Sequence, residues 1–240
     1  MINNLNDFFI KIINTLFPIT CYGCGKYIDN FGLCSDCWKK INWIGEPVCA
    51  ICGKPFEFQK NSKCMDCARK KPSFDKAVSV FEYNEQSKNI VLRFKNADST
   101  FLGKELALMM SRAGRSLIEN SDIVVPVPIS FPRRFKRRYN QTEILARYIG
   151  KSGKKDYEPR VLAKNKNIRP QEGLNHKQRQ ENVKNAFYVN EKFRSSIDHK
   201  KVLLIDDVLT TGATVNECAK VLKNAGAKKV FVLTLARALK

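Results

Sequence analysis

From Lys76 onward, short runs of apolar residues alternate with stretches in which apolar positions recur every three or four residues. The runs predict strands over Lys76–Asn84, Asp122–Ile129, Val183–Asn190, Lys200–Asp206 and Lys228–Arg237. The helical periods predict helices over Glu85–Lys95, Leu102–Ile118, Asn140–Gly150 and Ala213–Gly226, the last closed by its glycine. Strands that alternate with helices imply parallel pairing, so the expected fold is α/β, a layered domain around a parallel sheet. Ligands of such folds sit beyond the carboxyl ends of the strands, and Asp206 and Asp207 stand at such an end.

The first seventy residues follow a different pattern. Phe8, Phe9, Ile12, Ile13, Leu16 and Phe17 recur at helical spacing, which predicts an amphipathic helix over 1–17 that stops at Pro18 and packs on the rest of the protein, with contact to a membrane surface as the alternative. The stretch has no basic start and no small-residue cleavage site, so it does not read as a secretion signal, and a cytoplasmic location is expected. No apolar run is long enough to span a bilayer.

Eight of the nine cysteines then fall into four pairs with two residues between partners: Cys21/Cys24, Cys34/Cys37, Cys49/Cys52 and Cys64/Cys67. Two thiolates at that spacing face one tetrahedral ion from a tight turn, and two turns complete a closed four-cysteine site. Structural zinc, two ions in all, is the expected occupant; disulfides would need an oxidising compartment, and the regular ribbon-like spacing favours zinc over an iron–sulfur cluster. Sequential pairing gives Cys21, Cys24, Cys34 and Cys37 one site and Cys49, Cys52, Cys64 and Cys67 the other, although crossed pairing fits the spacing too. Cys218 stands alone on the apolar stripe of a helix and reads as core. The expected organisation is the helix over 1–17, a double zinc ribbon over 18–70, and the α/β domain over 75–240, with Arg69–Asp75 as linker.

Charge changes the picture next. The 240 residues carry a formal +20, and residues 130 to 184 hold 16 lysines and arginines against 5 acids. In PRRFKRRYNQ, the cations Arg133, Arg134, Lys136, Arg137 and Arg138 are interleaved with Phe135 and Tyr139. Cations for phosphates beside aromatics for stacking are what single-stranded nucleic acid requires, so Arg133, Arg134, Lys136, Arg137, Arg138 and Tyr139 form the expected nucleic-acid surface. The only histidines, His176 and His199, lie among lysines and polar residues and are assigned neither to catalysis nor to metal.

One string carries the densest chemistry: VLLIDDVLTTGAT, Val202 to Thr214. After the strand, Thr210, Thr211, Gly212, Ala213 and Thr214 lead directly into a helix. Small residues let the backbone approach a phosphate, the helix start offers unpaired N–H groups, and the threonines add hydroxyls. It is not a Walker loop, which needs a Gly-Lys-Ser/Thr ending. The two carboxylates cannot hold phosphate, but they accept hydrogen bonds from sugar hydroxyls or organise Mg²⁺ through water. A sugar phosphate satisfies both halves.

This string resembles the phosphoribosyl pyrophosphate signature of type I phosphoribosyltransferases at all thirteen positions. With FPITCYGCGK, VVPVPIS, RRYNQTEILA, PQEGL and RQENVKNAF, the whole chain resembles the ComF (ComFC) family of competence-associated proteins. The resemblance implies a type I phosphoribosyltransferase-like sheet domain with a small zinc-ribbon module. It implies Asp206 and Asp207 on the ribose hydroxyls, Thr210 to Thr214 around the 5′-phosphate, and Arg137 and Arg138 on the pyrophosphate side. The chain departs from the family at Arg138, where a glycine is usual, and at Ile168, where a threonine is usual.

The expected function is therefore that of a ComF-like protein binding phosphoribosyl pyrophosphate with Mg²⁺, and single-stranded DNA, in DNA uptake and natural transformation, beside a competence helicase or other DNA-processing proteins. The alternative is an active phosphoribosyltransferase, a glycosyltransferase moving ribose 5-phosphate to an acceptor; a third reading is a sensor of phosphoribosyl pyrophosphate without turnover.

Overall fold

The computed structural model describes residues 19–56, 62–95, 102–129, 140–165 and 186–239. The helix expected over 1–17, the basic stretch Arg133–Tyr139 and the position Ile168 lie outside them.

Five strands form one parallel sheet: β1 (Lys76–Glu82), β2 (Ile123–Pro126), β3 (Asp156–Tyr157), β6 (Lys201–Leu209) and β7 (Lys229–Arg237), in the order β1-β7-β6-β2-β3. The central strand β6 is apolar without a break over Val202–Ile205 because both of its faces are covered, and all four residues are buried. Period-two alternation divides them. Val202 and Leu204 join Val230 and Val232 in one core, while Leu203 and Ile205 join Phe231 and Leu233 in the other.

Helix α7 (Ala213–Asn224) covers the first face with Val215, Cys218, Ala219 and Leu222. Cys218 is fully buried there and belongs to the core. The second face is covered by α3 (Lys88–Lys95), α4 (Leu102–Ala113), α5 (Arg115–Glu119) and α6 (Gln141–Gly153). Asn140 caps α6 by accepting from the Thr142 amide at 3.2 Å, and the Thr142 hydroxyl donates to the Val127 carbonyl at 2.6 Å, which ties that helix start to the end of β2.

Three elements differ from the sequence expectation. The helix expected over Leu102–Ile118 is two helices broken at Gly114, where an added Cβ would lie 2.6 Å from the Leu233 side chain, so close packing on the sheet selects glycine over helix continuity. The helix expected from Glu85 starts at Lys88, because Asn84 Oδ1 accepts from the amides of Gln86 and Ser87 and holds a turn instead. The strand around Phe187 does not join the parallel sheet. As β5 (Phe187–Val189) it pairs antiparallel with β4 (Leu162–Lys164) and packs on α7, and a 3₁₀ helix (Glu191–Ser196) follows it.

The zinc-ribbon module closes the open edge of the sheet. Trp43 bridges Phe81 of β1 in antiparallel fashion, the Ile44 amide donates to Val80, and the Ala77 amide donates to Ile51 at 2.7 Å. An edge that would otherwise offer free backbone groups is thus paired by the module itself.

Candidate functional site

The cysteines come together in sequence order. Cys21, Cys24, Cys34 and Cys37 place all four sulfurs within 4.8 Å of one another, and so do Cys49, Cys52, Cys64 and Cys67; the crossed alternative is not adopted. A Zn–S bond of about 2.3 Å in a tetrahedron puts sulfurs about 3.8 Å apart. Cys24 and Cys34 are 3.7 Å apart, as are Cys52 and Cys64. Short helices α1 (Ser35–Lys40) and α2 (Met65–Arg69) start right after Cys34 and Cys64, so each second pair sits on a helix start.

Burial opposes ionisation of Cys21, yet the amides of Cys24, Cys34 and Gly23 hold its thiol down at about 6. Burial likewise opposes ionisation of Cys49, and the amides of Cys52, Cys64 and Ile51 bring it to about 6. Amides aimed at one sulfur per site are what a bound thiolate needs, while burial first, and the neighbouring cysteines second, raise Cys37 and Cys67. Both donor sets fit zinc in a closed, structural role. The sites differ in their surroundings. All four cysteines of the second are buried, in the core that also holds α7, whereas Cys24 of the first is exposed.

At the carboxyl end of β6 the chain carries Asp206 and Asp207 and then turns through Thr210–Gly212 into α7. The Gly212 backbone is left-handed, with φ of +78°, and Thr211 Oγ1 accepts from the Ala213 amide at 3.3 Å. Thr210 and Thr211 are exposed, and the amides of the first helical turn have no intrahelical acceptor. The loop therefore presents hydroxyls and N–H groups beside a carboxylate pair, the combination a sugar phosphate requires.

The two acids differ. The Asp207 amide donates to Asp206 Oδ1 at 2.9 Å, and Asp207 Oδ2 lies 3.0 Å from Lys95 Nζ. Burial first, and the charge of Asp207 second, push Asp206 up to about 8 against the pull of that amide, Lys95 and Lys164. Lys95, from the end of α3, and Lys164, from β4, are thus members of this site that sequence reasoning missed. Nothing local marks either: Lys95 reads as an ordinary basic residue in a last helical turn. The expected cations Arg133, Arg134, Lys136, Arg137 and Arg138, with Tyr139, lie outside the described residues; Ile129 and Asn140, on either side of them in the sequence, line a cavity of about 350 Å³ with Glu143, Arg160 and Lys164.

A parallel sheet with helices on both faces, an acid pair and phosphate-type loop at one strand end, and two four-cysteine ribbons define a phosphoribosyltransferase-type domain joined to a double zinc ribbon. Family models agree: the double zinc ribbon domain matches residues 12–68 and the phosphoribosyl transferase domain residues 143–240. Competence protein F of Haemophilus influenzae is 31% identical over 229 residues, 92% of this chain and 98% of that protein. Competence protein ComFC of Streptococcus pneumoniae is 32% identical over 212 residues, 87% and 89% of the two chains. DNA utilization protein YhgH of Escherichia coli is 26% identical over 92% of this chain and 98% of its own. The chain belongs to the competence protein F/ComFC family. No helix among the described residues is long and apolar enough to cross a membrane.

Proposed function

We propose that the protein binds phosphoribosyl pyrophosphate and single-stranded DNA and acts in DNA uptake. The names of its relatives, competence proteins and a DNA utilization protein, support the process. The observation that carries the small-molecule reading is the juxtaposition of Asp206 and Asp207 with the Thr210–Thr214 loop at one strand end. In this reading the loop amides and hydroxyls hold the 5′-phosphate. Asp206 and Asp207 accept from the ribose hydroxyls, and Mg²⁺ brought by the pyrophosphate is held through water near the same acids, where Lys95 already balances Asp207. Arg137 and Arg138 are assigned to the pyrophosphate, and the stretch Arg133–Tyr139 to the strand.

The experiment is thermal unfolding with phosphoribosyl pyrophosphate and Mg²⁺. A saturating ligand at about 100 times its dissociation constant adds about 2.7 kcal/mol of stability. The wild type is expected to gain several degrees, and the Asp206→Asn/Asp207→Asn variant nothing. Equal shifts in both proteins rule out the assigned site. Turnover is a separate question, read as pyrophosphate released with candidate acceptor bases; no side-chain nucleophile is required, since a cation and donors at the leaving pyrophosphate stabilise the departing charge.

A further inference from the structure

A cavity of about 510 Å³ separates the second ribbon from the loop ahead of α7. One wall is Cys52–Lys54 and Cys67–Lys71; the other is Leu209–Ala213 with the first turn of α7. Its volume falls within the usual range of ligand sites. Its lining is strongly cationic: Lys54, Arg69, Lys70 and Lys71 stand around it with Arg237 at the back, against Asp66 and Glu217. Lys54 approaches Asp66 at 3.8 Å, while Arg69, Lys70 and Lys71 are exposed and make no ion pair among the described residues.

Asp206 and Asp207 do not line this cleft, although Thr210, Thr211 and Gly212 do. A free sugar phosphate spanning loop and carboxylates would leave these cations without a counterpart. A phosphate held at the loop as a diester has a second ester oxygen, from which a chain can continue into the cleft that Thr210, Thr211 and Gly212 line. Among the described residues the one aromatic ring on the lining, Phe74, is buried, so the surface suits a charged backbone rather than stacked bases.

We infer that the cleft between the second zinc ribbon and the Thr210–Gly212 loop binds the sugar–phosphate backbone of single-stranded nucleic acid, without base readout. The site is separate from the Arg133–Tyr139 stretch, and the inference rests on the reading that the protein binds single strands. It gives the ribbon a direct part in binding, as one of the two walls.

The test is fluorescence anisotropy of a labelled oligothymidylate with the full, zinc-loaded chain across a salt series. Lys70→Glu/Lys71→Glu is compared with Lys104→Glu/Lys151→Glu, which makes the same change in net charge on α4 and α6, over the opposite face of the sheet. The cleft pair is expected to weaken binding tenfold or more and to flatten the log–log salt slope by about 1.4, about 0.7 for each phosphate no longer neutralised. The control pair is expected to lose less than about threefold, as screened, distant charges do. Lys70→Gln/Lys71→Gln should fall between wild type and the cleft pair. Zinc content and the melting temperature without ligand should stay near wild-type values in every variant, which excludes misfolding. Wild-type affinity in the cleft pair, or equal losses in both pairs, overturns the cleft assignment while leaving single-strand binding intact. A wild type that binds no strand overturns the single-strand reading and this inference with it.

Discussion

Arg237 donates from Nη1 to the Cys52 carbonyl at 2.5 Å, and its Nη2 lies 3.6 Å from the Cys52 sulfur. Arg237 ends β7 opposite Leu209, the residue that hands β6 over to the phosphate-type loop, and the Ala238 amide donates to the Leu209 carbonyl at 2.9 Å. One guanidinium thus joins the second metal site to the strand end that supports the candidate sugar-phosphate site.

Outer-shell donors of this kind orient ligands and tune metal affinity about 10–100-fold. Arg237→Met keeps most of the side-chain volume and removes the donors. It is expected to speed zinc release from one site and leave the other unchanged, so that a chromogenic chelator sees one fast and one slow ion. Two equally slow ions would show that the arginine does not support the metal.

The unequal burial of the two ribbons leads to a second expectation. Cys52 shares a core with Val232, Leu204 and α7, whereas Cys24 is exposed. Losing a structural zinc removes much of the free energy that folds its ribbon, about 10 kcal/mol or more in isolated zinc modules. Cys52→Ser is therefore expected to lower the melting temperature of the whole chain and to abolish stabilisation by phosphoribosyl pyrophosphate. Cys24→Ser should cost one zinc and leave that ligand shift largely in place. Equal damage from both substitutions, read by calorimetry with ligand present and absent, contradicts the asymmetry.

The acid pair makes stability depend on pH. Asp206 ordinarily titrates near 3.8 and is pushed up to about 8, by burial first and by the Asp207 charge second. Between those values the native state keeps a proton that the unfolded chain has lost, so the contribution of this group to stability falls as pH rises through the window. Asp206→Asn keeps the shape without the titration. Its melting temperature is expected to gain on wild type as pH rises from about 5 to 8.5, by about 3 °C or more at the upper end for roughly 1 kcal/mol. A difference that does not change with pH means that Asp206 ionises normally.

Much of this architecture is legible in the chain because the strongest signals are local. The apolar run Val202–Ile205 announces a strand covered on both faces, the cysteine spacing announces two closed sites, and the loop into α7 follows its strand without a gap. What is not legible depends on distant partners. Gly114 breaks a continuous helical period only because Leu233, far along the chain, packs against it. The β4–β5 hairpin consists of three-residue strands, too short for alternation to register. Edge pairing of Trp43 with Phe81 is a single bridge, and the Lys95–Asp207 pair joins two elements whose adjacency only the sheet order creates.

The contact between the second ribbon and β1 is tight enough to single out one glycine. Gly53 has φ of +69°, and an added Cβ would lie 2.5 Å from the Ala77 carbonyl oxygen. The Ala77 amide is at the same time held by Ile51, so the strand cannot withdraw without losing that bond. Gly53→Ala combines backbone strain with a backbone clash and is expected to destabilise by about 2–3 kcal/mol, beyond the cost of an unfavourable φ alone. Gly212→Ala, at a similar left-handed φ of +78° with its nearest neighbour 3.9 Å away, tests strain without a clash and should cost less. Denaturant midpoints of the two variants measure the difference; equal losses would place the whole effect in φ.

Lys95 is the described cation within ion-pair distance of the acid pair, and its removal tests whether that pair behaves as an electrostatic unit. Its ammonium lies 3.0 Å from Asp207 Oδ2, with both side chains mostly withdrawn from water, and it also pulls the Asp206 titration downward. In Lys95→Met the aliphatic stem remains while the charge is gone. The downward pull of Lys95 on Asp206 is lost with it, so the Asp206 midpoint should move above about 8, observable in the carboxyl carbon signals of selectively labelled protein. Stability at neutral pH should drop by about 1.5–3 kcal/mol, the scale of a hydrogen bond to a charged group. Lys95→Arg, which restores the charge, should return the midpoint toward its wild-type value. A midpoint that stays put in Lys95→Met would mean that the fixed Asp207 amide and the burial of β6 alone set the protonation of Asp206, and that Lys95 serves only to anchor the end of α3.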